Sequence, residues 1–88
     1  MANNNEVGFV VCKNNKYSRG RKVEGTRNSV SIPISCPAGS KPVALSHTHP
    51  SGSLKLSPQD IRTGREKRLP VCVKARGVVK CYRIKRRA

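Results

Sequence analysis

Acidic residues are scarce in this 88-residue chain: Glu6, Glu24, Asp60 and Glu66 stand against 19 lysines and arginines. Any chemistry that needs a carboxylate must therefore draw on these four. Aromatic residues are scarcer still, with Phe9, Tyr17 and Tyr82 and no tryptophan. Three rings are too few for a platform on which single-stranded nucleic acid could stack. Long apolar runs are missing too. The run Phe9-Val10-Val11-Cys12 is far short of the ~20 residues of a spanning helix, so no membrane partner is expected. The start Met1-Ala2-Asn3-Asn4-Asn5-Glu6 has neither the basic nor the apolar region of a secretory signal. That predicts a protein that acts where it is made, in the cytoplasm. No repeat or linker divides the chain. Residues 1–88 therefore read as a single domain, with a flexible start at 1–5 and a basic tail at 85–88.

What is abundant is positive charge. The net charge is +15, and residues 62–88 carry 11 basic residues against Glu66 alone. Such a field draws polyanions and speeds encounter with acidic partners. A nucleic-acid partner is one reading of it; a solvated basic surface is the other. A chain of this length buries only ~60–65% of its unfolded surface, so its core is marginal.

Glycine, proline and asparagine punctuate the chain into short pieces. Val7–Cys12 predicts a buried strand, followed by a turn at Asn14-Asn15-Lys16. Lys22–Thr26 is the next strand candidate. Ser29–Ser35 follows, where Val30, Ile32 and Ile34 alternate with polar residues and Pro33 marks an edge. Pro42–His47 is another strand. Ser57-Pro58-Gln59-Asp60 reads as a helix start, with a serine cap, a first-position proline and an acid in the first turn. The helix runs to about Arg68, with Ile61 and Leu69 facing inward and Gly64 allowing close approach to the sheet. Val71–Ala75 and Val78–Ile84 form a hairpin around Arg76-Gly77. The fold class is mixed α/β: a twisted sheet of about six short strands with one main helix.

The chain's two histidines, His47 and His49, are two residues apart. On a strand such residues share a face, which makes them a ready metal chelate; the plainer reading is two surface histidines in a polar loop. The following residues complete the pattern H-x-H-P-x6-S-x2-D, from His47-Thr48-His49-Pro50 to Ser57 and Asp60. This resembles the JAMM metalloprotease motif of the JAB/MPN domain superfamily, residue for residue over 47–60. That superfamily includes deubiquitinases, phage tail-assembly proteases and the RadC-like group. The run His49-Pro50-Ser51-Gly52 is similar to that of the RadC-like members.

The resemblance implies a small JAB/MPN-like, cytidine-deaminase-like domain holding one catalytic zinc ion. His47, His49 and Asp60 would be its ligands. Three protein ligands and one open position are what catalytic zinc takes. It further implies an upstream glutamate as general base. Glu6, opening Glu6-Val7-Gly8-Phe9-Val10, fits that place, one residue closer to its glycine than in many members. Glu24 in Val23-Glu24-Gly25 is the alternative base. Glu66 lies six residues past Asp60, roughly 240° around the helix, and cannot share a pocket with it. Ser57, besides capping the helix, would hydrogen-bond an oxyanion. The implied activity is hydrolysis of an amide or isopeptide bond in a protein or peptide substrate, with an acidic ubiquitin-like modifier suited to the basic surface. A RadC-like protein whose basic surface binds DNA or RNA, and an inactive scaffold that keeps zinc for folding, are the competing readings. Family domains carry a helix before the glutamate strand; the lack of that cover here implies a homodimer or a leaner core.

Cys12, Cys36, Cys72 and Cys81 include no C-x2-C pair, so they do not suggest a zinc site of their own. A reducing cytosol would keep them as buried free thiols. The hairpin offers a disulfide alternative: if Arg76-Gly77 is its two-residue loop, Cys72 faces Cys81 at a non-hydrogen-bonded position, within bonding range.

Overall fold

The structure is a computed structural model and describes residues 5–84. The expected flexible start, Asn5 apart, and the basic tail at 85–88 lie outside the described residues.

The apolar, β-branched run becomes strand β1, Val7–Lys13, with Gly8, Val10 and Cys12 buried and Val7, Phe9 and Val11 half-buried between them. The chain turns at residues 14–16, where Asn14 Oδ1 accepts from the Lys16 N–H at 3.2 Å. It returns along β1 as β2 (Tyr17–Arg19) and then β3 (Val23–Glu24), both antiparallel to β1. Strand β4, Lys41–Thr48, pairs antiparallel with the other edge of β1, so that Gly8 faces His47. Helix α1, Pro58–Lys67, then carries the chain over to β5, Val71–Ala75, which runs parallel to β4. A parallel partner requires such a crossover. Strand β6, Val78–Tyr82, closes the sheet in the order β2-β1-β4-β5-β6, with β3 also on β1. The expected six-stranded mixed sheet with one helix is present.

The helix ends follow the sequence chemistry. Ser57 is the N-cap, Pro58 opens the first turn, and Arg68 ends the helix in the left-handed conformation. Gly64 is buried because a Cβ there would sit 2.8 Å from Val71 Cγ2 and 2.6 Å from Ile84 Cγ1. Leu69 packs on the core formed by Val10, Cys12, Leu45 and Val71. Ile61, expected to face inward, is instead exposed: the helix approaches the sheet along its Gly64 side, which turns Ile61 outward.

The predicted strand Ser29–Ser35 is not a strand. Both edges of β1 are already occupied, by β2 and β3 on one side and β4 on the other, and Pro33 has no N–H to donate. The segment lies over the face of the sheet instead. Ile32 packs against the core and sits where a Cβ on Gly8 would be, while Ile34 is exposed. The strand Tyr17–Arg19 was not expected from its polar, exposed residues; it forms because the turn at 14–16 folds it back on β1.

All four cysteines are paired, against the expectation of free thiols. Cys72 and Cys81 face each other across the β5–β6 hairpin in the register derived from an Arg76-Gly77 turn. Both turn residues have positive φ, as the tight hairpin turn requires. The second bond, Cys12–Cys36, joins β1 to the end of the segment that covers the sheet. Sequence spacing gave no sign of it, since the pair becomes close only once residues 29–35 lie across the sheet.

Candidate metal centre

The end of β4 and the start of α1 meet at the carboxyl edge of the parallel pair, where ligand sites of α/β sheets lie. His47 is the last buried residue of β4 and 4% exposed. His49 follows just past the strand end, and its N–H still donates to the Lys74 carbonyl of β5 at 3.1 Å. The shared strand face predicted for the two residues brings their Nε2 atoms to 2.9 Å.

Asp60 is the third residue of the helix, and its carboxylate is held by the helix start. Asp60 Oδ2 accepts from the Ser57 N–H at 2.9 Å, and the Asp60 N–H donates to Ser57 Oγ at 3.1 Å. This reciprocal cap satisfies two otherwise orphaned donors. It also aims the carboxylate at the histidines: Asp60 Oδ1 is 3.1 Å from His47 Nε2, and Oδ2 is 3.1 Å from His49 Nε2. Burial alone would raise the Asp60 carboxyl; hydrogen bonding to His47 and Ser57 outweighs it and holds the group at about 2.

Glu6 arrives from the other side. It precedes β1 and is 6% exposed. Its N–H donates to the Thr26 carbonyl at 2.7 Å, and its carbonyl accepts from the Gly25 N–H at 2.8 Å. The next residue is pinned as well, since the Val7 N–H donates to Thr48 Oγ1 at 3.0 Å. Thr48, the variable position of the H-x-H pattern, thus ties β1 to the end of β4. One ligating atom each from Glu6, His47, His49 and Asp60 lies within 4.8 Å of the others. Burial pushes the Glu6 carboxyl above its ordinary range; the imidazoles oppose this and the Asp60 charge adds to it. Glu24 is not brought to the cluster. It sits exposed on β3, where its carboxylate accepts from Asn5 Nδ2 at 2.8 Å.

The donor chemistry fits a cation. His49 Nδ1 lies 2.9 Å from the Ser53 carbonyl oxygen, which only accepts, so Nδ1 carries the proton. A neutral His49 ring therefore presents a lone pair on Nε2. That lone pair faces His47 and Asp60, and Asp60 itself offers only lone pairs. Three short contacts among these atoms share at most one proton when both rings are neutral. A divalent cation satisfies all three donors together, with the far nitrogen of His49 fixed by a backbone carbonyl as metal-ligating histidines usually are. Zinc with ligands at ~2.0–2.2 Å spaces its donors by ~3.3 Å, close to the 2.9–3.1 Å seen here. Among the described residues, the imidazole–carboxylate pairs within 4.0 Å are those of Asp60 with each histidine. Glu6 therefore stands more than 4.0 Å from both rings while its carboxylate stays within 4.8 Å of all three donors.

A cavity of about 520 Å³ opens against Glu6, His49 and Ser57 and is otherwise lined by the loop after His49 and by Arg27 and Asn28. The loop is anchored at two points. Tyr82 Oη donates to the Leu54 carbonyl at 2.5 Å, and Gly52, at φ +86°, lies against the Arg76 guanidinium. The structure brings together His47, His49, Asp60, Glu6 and Ser57, the residues singled out in the sequence. Ser53, Thr48 and Arg27 were not singled out; they reach the cluster through a backbone carbonyl, a hydroxyl to a distant strand and a turn from elsewhere in the chain. None of these leaves a spacing signal.

Comparison of the chain with protein-family models, with curated proteins and with solved structures finds no match.

Proposed function

We propose that this chain is a zinc-dependent metallopeptidase or isopeptidase of the JAMM type, in a minimal JAB/MPN-like domain, hydrolysing an amide or isopeptide bond. The observation that carries this reading is the convergence of His47 Nε2, His49 Nε2 and an Asp60 oxygen within 2.9–3.1 Å, with Glu6 set back beside them and an open cavity in front. A purely structural zinc site would be closed by a fourth ligand.

His47, His49 and Asp60 would hold the ion. When bound, zinc supplies Lewis acidity, which acidifies a water and polarises a carbonyl. The remaining chemistry belongs to the chain. Glu6, buried and with its carboxyl raised, is suited to take a proton from the attacking water and deliver it to the leaving amine. Ser57 Oγ already accepts the Asp60 N–H, so its own proton is free to donate to the oxyanion of the tetrahedral intermediate. Glu6 is held by backbone bonds to Thr26 and Gly25, and Ser57 by its reciprocal bonds with Asp60.

The test is the metal content of the purified chain beside His47→Ala, followed by hydrolysis assays on conjugates of ubiquitin-like proteins. One zinc per chain, lost in the variant, supports the reading; no zinc in the wild type overturns it. The charge of +15 favours a second reading, a RadC-like protein on DNA or RNA. Affinity for duplex DNA should then fall with salt at a log–log slope of about −0.9 per phosphate neutralised.

A further inference from the structure

The cavity in front of the donors carries two cations as well as Glu6. Arg27 and Lys55 both line it, and neither forms an ion pair with a carboxylate among the described residues. Each is mounted on a turn bonded to a residue of the site. Arg27 and Asn28 form the tip of a turn closed by the Thr26 N–H donating to the Ser29 carbonyl at 2.7 Å, and by the Ser29 N–H donating to Thr26 Oγ1 at 3.2 Å. The base of that turn is paired to the Glu6 backbone. On the opposite wall the Lys55 N–H donates to Ser53 Oγ at 3.2 Å, and the Ser53 carbonyl accepts from His49 Nδ1. The backbones that carry the two cations are thus anchored beside Glu6 and His49.

Glu6 is the one carboxylate lining the cavity, and it stands buried at the donor side. Two cationic residues lining one cavity raise its potential, and an anion placed between their charges lowers their repulsion. The volume of about 520 Å³ lies within the ~300–1,000 Å³ of ligand clefts. Leu56 adds an apolar wall for the methylenes that carry a side-chain carboxylate.

We infer that this cavity is a subsite for a carboxylate of the substrate, held by Arg27 and Lys55 beside the scissile bond. The inference rests on the hydrolase reading and narrows its substrate to peptides with either an acidic side chain or a free C-terminus next to the cleaved amide. Arginine offers a carboxylate a two-pronged contact and lysine a point charge, so the two are not redundant.

The test is a titration of the ¹⁵N-labelled full chain, followed by NMR, with defined probes: acetyl-Gly-Glu-Gly-amide, acetyl-Gly-Gln-Gly with a free C-terminus, the neutral acetyl-Gly-Gln-Gly-amide, and inorganic phosphate. A carboxylate peptide should shift the amides of Arg27, Asn28, Ser53 and Lys55 and bind about tenfold or more tightly than the neutral one. The stronger of the two charged peptides identifies the source of the carboxylate. The double variant Arg27→Gln/Lys55→Gln should erase the preference, and Arg27→Lys/Lys55→Arg should keep it. Equal binding of charged and neutral peptides, an unchanged preference in the Gln variant, or a response to phosphate alone would each overturn the subsite. Zinc titration of the same samples separates the two claims. The Gln variant should take up zinc as the wild type does, whereas failure of the wild type to bind zinc would sink the hydrolase reading, whatever the peptides show.

Discussion

Asp60 serves the helix start and the donor cluster with one carboxylate, and replacing it separates the two roles. Asp60→Asn keeps an oxygen that can accept from the Ser57 N–H but loses the charge; Asp60→Ala loses both. Loss of the carboxylate half of the reciprocal cap costs up to about 1 kcal/mol, and loss of an acid from the first turn costs up to about 1 kcal/mol more. In chelator, Asp60→Ala should therefore unfold with about 1–2 kcal/mol less stability, and Asp60→Asn should lose less. Zinc contributes separately. At free zinc one hundred times Kd, binding to the folded chain adds about 2.7 kcal/mol, which in a domain of this size raises Tm by roughly 10–20 °C. A hundredfold weaker Kd leaves about 0.4 kcal/mol at the same zinc concentration, so in both variants the zinc-dependent rise should nearly vanish. The assay is thermal unfolding by circular dichroism, with and without zinc, for the three proteins. An Asp60→Ala variant with the wild-type zinc response would refute Asp60 as a ligand and reduce the cluster to a hydrogen-bonded network.

Glu6→Gln should keep one zinc per chain while turnover falls by about 10²–10⁴; retained turnover would remove Glu6 as the base. Acid should weaken the fold through Asp60. Its carboxyl sits at about 2 against an ordinary 3.8, so the ionised form is favoured in the folded state. About 2 kcal/mol is then present above pH ~4 and lost as pH falls from there towards ~2; urea unfolding across that range should show the loss, and Asp60→Asn should not. Replacing Cys12 and Cys36 by serine should cost about 3 kcal/mol, given the 24-residue separation. Thiol alkylation of the wild type should label no cysteine until a reductant is added. Gly52→Ala should cost about 1–2 kcal/mol, because φ is +86° and the added methyl meets the Arg76 guanidinium; a stability equal to wild type in urea unfolding would show that the loop yields there.

The parts of this fold that were legible in sequence are those set by local rules. The Ser57-Pro58-Gln59-Asp60 start located the helix because a cap, a proline and an acid act within one turn. Arg76-Gly77 fixed the register of the last hairpin, and the register put Cys72 opposite Cys81. The H-x-H spacing placed two imidazoles together because a strand repeats every two residues. What was not legible depends on competition between distant segments. Val30 and Ile32 alternate as a strand would, but both edges of β1 are taken by β2, β3 and β4, and the same alternation serves to cover a sheet face. Tyr17–Arg19 shows the reverse, a polar segment made into a strand by the turn before it. Ile61 lies outside because Gly64 sets which side of the helix meets the sheet, and no helical pattern in the sequence ranks a glycine above an isoleucine.

The donor cluster is also a load on the fold. Glu6, His47, His49 and Asp60 are four titratable groups brought within 4.8 Å in a chain too short to bury a large core. Moving such groups out of water costs free energy unless they are paired. With the His49 Nδ1 proton committed to Ser53, neutral rings leave the three short contacts short of protons. A cation would satisfy all three donors at once, and protons compete with it for the same lone pairs. Zinc binding should therefore release protons, and zinc affinity should fall with falling pH. The framework that holds the donors while they wait is covalent and local. One disulfide anchors the covering segment to β1, the other fastens the β5–β6 hairpin, and the Ser57–Asp60 cap fixes the carboxylate. None of these elements needs the ion in order to form, so removing it should lower stability without unfolding the chain.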